Sequence, residues 1–422
     1  DYIKMKYCVR CLYPENHPLG ITFDKDGLCS GCIVHKEKDI LDWDERLEKL
    51  KKIVEPYKSK NRTIHDCIIP VSGGRDSYFI VHVVKNILGM HPLLVSYNIH
   101  YNTPQGIRNL AYLQTKLECD ILKHTSNPEK VKKVTLETIE RLGSIYWHCL
   151  AGHTVFPIKT AVRFRIPLII WGAHQGCDQV GMFSHLDEVE MTRKYRKDHD
   201  LMGFEAEDLI DGAQFLKYED LEDWIYPHDK EIEEIGVRGI YLNNYIRWDT
   251  KAQHEKMIDL YGYETKNQQR TFDNYNDVDS YHYNGLHDLI KFYKWGYGKV
   301  TDHASREIRL KRMTRTQGIQ FINKYSSIPI DDLKDINLFE EWLGLTRQEI
   351  LGFVNRYRDP AIWKKQNSNW ETKDNIGNHL NQKGIKEAEL EIIGDYLFKN
   401  NARQSEEDEE SGYILMGRGW SD

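Results

Sequence analysis

The residues with the clearest chemical potential form the short stretch Ser72–Ser77, which reads SGGRDS. Residues 66–71 before it predict a buried strand, and a helix is predicted to begin near Arg75. We expect Gly73 and Gly74 to adopt backbone angles closed to other residues and to let a ligand approach the main chain. Amide N–H groups of such a turn, together with those of a helix start, form a binding site for an anion.

Three polar side chains of this loop indicate which anion it binds. Ser72 and Ser77 add hydroxyl donors at either end of the turn. The carboxylate of Asp76 would repel a phosphate unless a cation lay between the two groups, so we expect phosphate with Mg²⁺ bound at Asp76. The loop is not a Walker P-loop, because it lacks the GxxxxGK[ST] pattern.

Four cysteines near the start of the chain have the spacing of a metal site. Cys8 and Cys11 form one CxxC pair, and Cys29 and Cys32 form a second. Two such pairs fill all four positions of a tetrahedral structural zinc site and leave none open for catalysis. We assign residues 1–38 to this zinc-binding knuckle.

Two further features connect the knuckle to the rest of the chain. Residues 23–27 predict a small hairpin, and Gly27 and Gly31 stand where we expect tight turns. An amphipathic helix over 39–56 dominates the predicted linker, residues 39–60.

Residues 61–250 alternate between strand and helix patterns. The predicted strands are 66–71, 92–97, 119–124 and 166–171, and residues 237–249 predict a last strand and its loop. The predicted helices are 75–88, 104–118, one from Pro128 and 153–164. This alternation predicts an α/β fold with a doubly wound parallel sheet and a ligand site at the carboxyl ends of its strands. Loops 72–77, 98–103 and 172–178 should meet there, and His174 in the third loop is a candidate for substrate binding or proton transfer.

The remaining residues, 251–422, predict a mostly helical region that binds a substrate or a partner. One helix in it, with Thr301 or Asp302 as the expected cap, carries a basic cluster of Arg306, Arg309, Lys311, Arg312 and Arg315. Arginine suits the capture of phosphate or carboxylate, and the alternative is a solvated helix face. The acidic stretch 404–410 predicts a disordered tail or a surface loop.

Composition narrows the class of protein. A chain of 422 residues with 40% hydrophobic and 29% charged residues is typical of a globular protein of two or three domains. The net charge of -7 argues against nucleic acid as a partner, and no apolar run or signal peptide predicts a membrane association. Eight cysteines, half of them in CxxC pairs, fit a reducing compartment, so we expect a cytoplasmic enzyme.

The loop Ser72–Ser77 resembles the SGGxDS signature of the PP-loop ATP pyrophosphatases, which have a HUP-like fold. The resemblance implies that ATP is split into AMP and pyrophosphate, with Asp76 and Ser77 as catalytic residues. It also implies contacts of Tyr97 and Asn98 with adenosine. The implied ATP-binding residues are Ser72, Gly73, Gly74, Arg75, Asp76, Ser77, Tyr97, Asn98, Trp171 and Gly172.

Several longer motifs, together with the knuckle, resemble the N-acetyl sugar amidotransferases of pseudaminic acid, legionaminic acid and O-antigen biosynthesis. These motifs are Trp171-Gly172, the stretch 245–249 (YIRWD) and the stretch 296–303 (GYGKVTDH). The resemblance implies adenylation of an acetamido oxygen by ATP and its replacement by ammonia. The substrate would be an acetamido sugar linked to UDP or CMP, and we assign His303, Arg306 and Arg309 to its binding.

The source of ammonia is expected to be a separate glutaminase subunit. Cys149 and Cys177 do not lie in a GxCxG glutaminase motif, and Cys8 is assigned to zinc. The main alternative is a tRNA-thiolating PP-loop enzyme, which would need further paired cysteines. A noncatalytic zinc scaffold is a third possibility, which the intact Ser72–Ser77 loop disfavours.

Overall fold

The computed structural model describes residues 4–60, 64–387, 390 and 396–403. Its strands are β1 (Cys67–Pro70), β2 (Pro92–Tyr97), β3 (Asp120–His124), β4 (Leu168–Trp171), β5 (Arg238–Tyr241), β6 (Trp363–Gln366) and β7 (Asn369–Thr372). Its first helices are α1 (Ser30–His35), α2 (Trp43–Val54), α3 (Ser77–His82), α4 (Pro104–Lys116), α5 (Pro128–Leu142), α6 (Trp147–Phe164), α7 (Gln175–Asp178), α8 (Arg193–Tyr195), α9 (Ala206–Ile210) and α10 (Asp229–Ile235). The later helices are α11 (Thr250–Tyr261), α12 (Leu286–Trp295), α13 (Lys299–Arg309), α14 (Arg315–Ser326), α15 (Ile336–Leu343) and α16 (Arg347–Asn355).

Strands β1 to β5 form one parallel sheet in the order β3-β2-β1-β4-β5. The central strand β1 pairs on both sides, with Ile68 opposite Leu93 of β2 and Ile169 of β4. The strand order reverses next to β1, so a crevice opens at the carboxyl ends of β1 and its neighbours. The predicted doubly wound α/β fold is confirmed.

Helices cover both faces of this sheet, because alternate side chains of a strand point to opposite faces. Ile68 packs on one face with Ile158 of α6. Ile69 packs on the other face with Val81 of α3. The near-continuous apolar run of β1 therefore serves two hydrophobic cores.

The structure places most elements close to their predicted bounds and corrects two helix starts. Helix α6 begins at Trp147 and not at 153, because Gly143 ends α5 in a left-handed conformation and a short connection follows. Helix α13 begins at Lys299 with Gly298 as its N-cap. The predicted cap at Thr301 or Asp302 is therefore wrong, and both residues lie inside the first turns.

The knuckle packs directly onto the C-terminal helices. The amide of Leu12 donates to Ser305 Oγ at 3.2 Å, and the hydroxyl of Tyr13 donates to Asp302 Oδ1 at 2.7 Å. Its predicted hairpin is present, with Asp24 and Leu28 paired across the turn at Gly27. The knuckle is thus joined to α13 as well as to the chain that follows it.

Beyond α11 the chain is mostly helical, as predicted, with one antiparallel hairpin formed by β6 and β7. No helix among the described residues is long and apolar enough to cross a lipid bilayer. The acidic stretch 404–410 lies outside the described residues.

Candidate active site

The Ser72–Ser77 loop continues directly from β1 and is closed by its own serines. The amide of Val71 donates to the carbonyl of Val95 at 2.8 Å, so strand pairing extends to the residue before the loop. The amide of Ser72 donates to Ser77 Oγ at 2.9 Å, and that of Gly74 donates to Ser72 Oγ at 3.5 Å. Each hydroxyl oxygen thus accepts a bond that shapes the loop.

The two glycines of the loop are required by close packing. Neither Gly73 nor Gly74 has a positive φ, so the expectation of unusual backbone angles is wrong. A Cβ at Gly73 would lie 2.0 Å from the carbonyl oxygen of Gly106 in α4, and a Cβ at Gly74 would lie 2.3 Å from Asp279 Oδ1. No other residue fits between the sheet, α4 and the segment that contains Asp279.

A segment far along the chain, residues 277–283, clamps this loop. The amide of Asp277 donates to the carbonyl of Gly74, and the Asp277 carboxylate pairs with Nε of Arg75. The Arg75 guanidinium also lies 4.7 Å from the centre of the Tyr283 ring. The structure thus gives Arg75 a role, which is to join the loop to the C-terminal region through an ion pair and a cation–π contact.

Asp76 stands at the start of α3 and is held by helix α11. Its Oδ1 accepts a hydrogen bond from Thr250 Oγ1 at 3.0 Å and lies 3.7 Å from Nδ1 of His254. Burial raises the pKa of this carboxyl group, and His254 opposes that shift. Asp277 and Asp279 line the same cavity, so this end of the site offers the carboxylate oxygens that Mg²⁺ prefers.

A cavity of about 240 Å³ lies over the loop, at the carboxyl ends of β1 and β4. We call it the main cavity. The sequence-predicted residues that line it are Ser72, Arg75, Asp76, Ser77, Trp171, Gly172 and His174. The first and third predicted loops therefore meet at one site.

His174 lines the main cavity and also fixes the local backbone. Its Nδ1 accepts a hydrogen bond from the amide of Gly176 at 3.0 Å, which caps α7 and leaves the ring proton on Nε2. Burial lowers the pKa of His174 to about 4. The side chain is therefore neutral at pH 7 and can donate a hydrogen bond from Nε2.

The loop after β2 borders a separate cavity of about 190 Å³. Tyr97 and Asn98 both line this cavity, which also reaches Ser72 and Gly73. The Tyr97 side chain is buried, and its hydroxyl lies 3.1 Å from Nδ1 of His148. The predicted contact of Tyr97 and Asn98 with adenosine stays a prediction. The cavity that these two residues line lies beside the loop, where an adenosine would have to bind.

The four predicted zinc ligands come together in one buried cluster. Sγ of Cys8 lies 3.9 Å from that of Cys32, and Sγ of Cys11 lies 3.6 Å from that of Cys29. Thiolates about 2.3 Å from a tetrahedral zinc ion lie about 3.8 Å apart, so the cluster has the dimensions of a structural zinc site. Zinc bound there would cross-link the two halves of the knuckle.

Arg309, predicted to bind substrate, contacts the cysteine cluster. Its Nε lies 3.4 Å from Sγ of Cys32, and its Nη2 lies 3.4 Å from Sγ of Cys29. Its Nη1 donates to the carbonyl of Gln179 at 2.7 Å. A Cβ at Gly31 would lie 2.2 Å from this guanidinium, so Gly31 serves close packing in α1 and not the predicted tight turn.

The other arginines of the basic cluster are also internal. Only 4% of Arg309, 7% of Arg312 and 1% of Arg315 is exposed, which rules out the solvated helix face as the environment of these three. Arg312 pairs with both Glu307 and Asp249. This part of the cluster joins α13 to the knuckle and to the start of α11.

Arg306 and His303 lie on a smaller cavity behind the loop, of about 120 Å³, which we call the rear cavity. Arg306 pairs with Asp273 and Glu307. Nδ1 of His303 lies 2.6 Å from Thr271 Oγ1, and burial lowers the pKa of His303 to about 4. Arg75 and Asp76 also line the rear cavity, so it adjoins the main cavity across the loop.

Sequence reasoning missed the carboxylates of the clamp and the cations beside the loop. The stretch 277–280 reads DVDS, and its alternating acidic residues are the local signal that could have been noticed. Arg196, which stacks 4.2 Å from the Trp171 ring and lines the main cavity, had no such signal. Lys299 lies within the stretch 296–303, which the sequence analysis used as one motif without assigning a role to its lysine.

Comparisons with known proteins found a family match in the C-terminal region. Residues 269–376 match the family described as LPS biosynthesis protein WbpG-like, C-terminal domain. No curated protein matches the chain. One solved structure that matches is the NMN synthetase from Francisella tularensis, at 15% identity over 52% of this chain and 96% of that chain, with a TM-score of 0.27. Residues 269–376 are therefore similar to the C-terminal domain of the WbpG-like LPS biosynthesis proteins, and this supports the resemblance of the chain to the N-acetyl sugar amidotransferases.

Proposed function

We propose that this protein is an ATP-dependent amidotransferase of bacterial surface glycan biosynthesis. Its substrate is a nucleotide-linked N-acetyl sugar, and its products are an acetamidino sugar, AMP and pyrophosphate. One observation carries the proposal: the WbpG-like domain supplies Asp277 and Asp279 to the cavity over the Ser72–Ser77 loop. A domain of LPS biosynthesis proteins and a loop of the ATP-pyrophosphatase type thus build one site.

The proposed reaction overcomes a poor leaving group. The acetamido oxygen attacks the α-phosphorus of ATP, the bond to the β-phosphate oxygen breaks, and pyrophosphate leaves with the electron pair. Ammonia then adds to the activated carbon, and AMP leaves with the original oxygen. Donors of the Ser72–Ser77 loop stabilise the charge that develops on pyrophosphate, which lowers the barrier of the first step.

The residues of the loop divide these tasks. Asp76 is the residue that would hold Mg²⁺, which supplies positive charge to the phosphate oxygens when it is bound. Thr250 orients the Asp76 carboxylate. We place the adenosine in the cavity that Tyr97 and Asn98 line, since this cavity also reaches Ser72 and Gly73.

We propose that ammonia comes from a separate glutaminase subunit. A glutaminase nucleophile needs an activated thiolate with a lowered pKa. Cys149 and Cys177 are both buried, and burial raises the pKa of each thiol. Their environments are therefore unsuited to glutamine hydrolysis and equally unsuited to carrying sulfur, which disfavours the tRNA-thiolating alternative.

The direct test incubates the full chain with ATP, Mg²⁺, ammonium chloride and a panel of UDP- and CMP-linked acetamido sugars. We expect one sugar to lose mass by the difference between O and NH, with AMP formed in equal amount. Mass spectrometry of the sugar and chromatography of the nucleotides measure both products.

Two controls make this test specific. Omitting ammonia should stop the mass change, and the Asp76→Asn variant should form both products at a strongly reduced rate. AMP formation without any change in an acetamido group, or transfer of sulfur to tRNA, would contradict the proposal.

A further inference from the structure

We propose that the rear cavity binds a diphosphate group, the pyrophosphate of ATP, and that Lys299 and Arg306 of α13 are its ligands. The proposal rests on the ATP-splitting part of the proposed function and names the residues that hold the leaving group. It makes the region that matches the WbpG-like domain a participant in ATP cleavage, because α13 lies within residues 269–376.

The position of the rear cavity supports this ligand. The cavity is bounded by Arg75 and Asp76 on one side and by α13 on the other. Arg75 and Asp76 also line the main cavity, so a triphosphate that crosses the loop would have its ends on opposite sides of these two residues. The acceptor amide would meet the α-phosphate in the main cavity, and pyrophosphate would reach from the donors of the loop into the rear cavity.

One face of α13 forms the far wall of the rear cavity. Residues spaced by three or four along a helix share a face, and the lining residues of α13 have this spacing. They are Lys299, Asp302, His303, Arg306 and Arg309. The two ends of this face have different surroundings. Arg309 contacts the cysteine cluster, whereas Lys299 lines the rear cavity together with Asp277, the residue that pairs with Arg75 of the loop.

Two cations of the rear cavity keep unused donors. Nη2 of Arg306 is buried and has no hydrogen-bond partner, although its other nitrogens bind Asp273 and Glu307. Within the described part of the chain, no hydrogen bond or ion pair engages Nζ of Lys299, which instead lies 5.0 Å from the Tyr283 ring. A buried donor without a partner is costly, and a bound phosphate oxygen would satisfy it.

The remaining cations of the rear cavity are already committed. Lys38 donates to Asp178 at 2.7 Å and to the carbonyl of Trp248 at 3.0 Å. Arg309 uses its donors on the knuckle sulfurs and on Gln179. The donors available to an anion therefore come from the α13 residues nearest the loop.

Most carboxylates around the rear cavity are neutralised by protein partners. Asp178 pairs with Lys38, Asp277 with Arg75, and Asp302 with Lys291. Asp76 has only a hydroxyl donor and a histidine beside it, and it is the residue to which we assign Mg²⁺. An anion in this cavity would thus meet unpaired donors and a carboxylate that is suited to a shared cation.

The diphosphate of a nucleotide-linked sugar has the same chemistry as pyrophosphate. The structure favours pyrophosphate, because the rear cavity has half the volume of the main cavity, about 120 Å³ against about 240 Å³, and touches the Ser72–Ser77 loop. A linked sugar and base would need the larger space.

The test compares the native chain with Lys299→Gln and Arg306→Gln by calorimetric titration of inorganic pyrophosphate in the presence of Mg²⁺. Lys324→Gln, which removes an exposed cation from α14 outside the rear cavity, is the matched control. We expect each cavity variant to bind pyrophosphate about 10-fold to 100-fold more weakly, since a charged hydrogen bond contributes about 1.5 to 3 kcal/mol. AMP affinity should stay within about twofold of native, because effects at separate sites are independent to about that precision.

Lys299→Gln is the decisive variant, because it breaks no ion pair and should fold normally. Native pyrophosphate affinity in Lys299→Gln would overturn the inference. Weaker binding of UDP with unchanged binding of pyrophosphate would also overturn it and would assign the cavity to the sugar nucleotide. No sugar is needed, so a failure of the amidotransferase assay and a failure of this test are distinct results.

Discussion

The Ser72–Ser77 loop and the arginines at the end of α13 are both candidate anion sites in the sequence, yet the structure uses them differently. In the loop, the backbone is packed so tightly that two positions must be glycine, and the polar side chains face a cavity. In α13 and just after it, Arg309, Arg312 and Arg315 are buried against sulfur, carboxylate and carbonyl groups. In this chain, positions that must be glycine because of close backbone packing therefore indicate a ligand site better than a cluster of charged residues does.

The largest effect is expected from a substitution that disrupts the cysteine cluster, which Arg309 of α13 contacts. Cys29→Ser removes a predicted zinc ligand and one sulfur contact of Arg309. Structural zinc contributes on the order of 10 kcal/mol to the folding of small zinc domains, so we expect loss of bound zinc and a large fall in melting temperature. Metal analysis and calorimetry measure both effects. Cys119→Ser, a buried thiol outside the cluster, should keep the zinc, and equal zinc content in the two variants would contradict the assignment.

The second prediction tests whether α13 is held by buried ion pairs. Arg312→Gln leaves Glu307 and Asp249 without their shared partner, and breaking a buried pair costs about 3 to 5 kcal/mol. Arg347→Gln, which breaks ion pairs at the surface, should cost no more than about 1 kcal/mol. Urea denaturation measures both free energies of unfolding. Similar values for the two variants would refute the buried-anchor interpretation.

The third prediction concerns the loop, where we expect lost chemistry and retained stability. Asp76→Asn should lower AMP formation by about 100-fold to 1000-fold, the cost of removing one group that stabilises charge in a transition state. Its melting temperature should stay close to native, because Asn keeps the hydrogen bond with Thr250. Asp44→Asn on the exposed start of α2 is the control. A variant that forms AMP at the native rate would remove Asp76 from the mechanism.

The smallest expected effect is a change in pH dependence near the loop. The pKa of His174 falls from its usual 6.5 to about 4 because of burial, so the unfolded chain binds its proton more readily. The contribution of neutral His174 to the free energy of unfolding is complete above pH 6.5 and is lost as the pH falls toward 4. The loss amounts to at most about 3 kcal/mol.

His174→Asn isolates this contribution, because Asn can also cap α7 without titrating. We expect native stability to decline more steeply than that of His174→Asn between pH 6.5 and 4, as followed by thermal melting. Parallel profiles would show that His174 does not titrate in this range.

The parts of the fold that could be predicted from sequence are those with local causes. Thr103 and Pro104 define the start of α4 through a side-chain cap and a fixed φ, and the structure has both features. Apolar runs gave the strands, because parallel strands are buried on both faces. The CxxC spacing likewise brought the zinc ligands together, since each pair needs only its own turn.

The parts that could not be predicted depend on contacts between distant residues. Arg75 and Asp277 are 202 positions apart, and Arg309 and Cys32 are 277 positions apart. No periodicity in the chain signals such pairs. The same arginine is compatible with a phosphate ligand or a thiolate partner, because both are anionic acceptors, and only the packing of the knuckle against α13 decides between them.

The clamp between the loop and residues 277–283 also has a consequence for synthesis of the protein. Ribosomes add about 5 to 20 residues each second, so the 202 positions between Arg75 and Asp277 take on the order of 10 to 40 s to translate. During that interval the nascent chain has its SGGRDS loop but not the carboxylate that holds Arg75. The nucleotide-binding site is thus completed only after residues 277–283 have been synthesised. A chain released earlier would contain the SGGRDS loop without the segment that holds it in place.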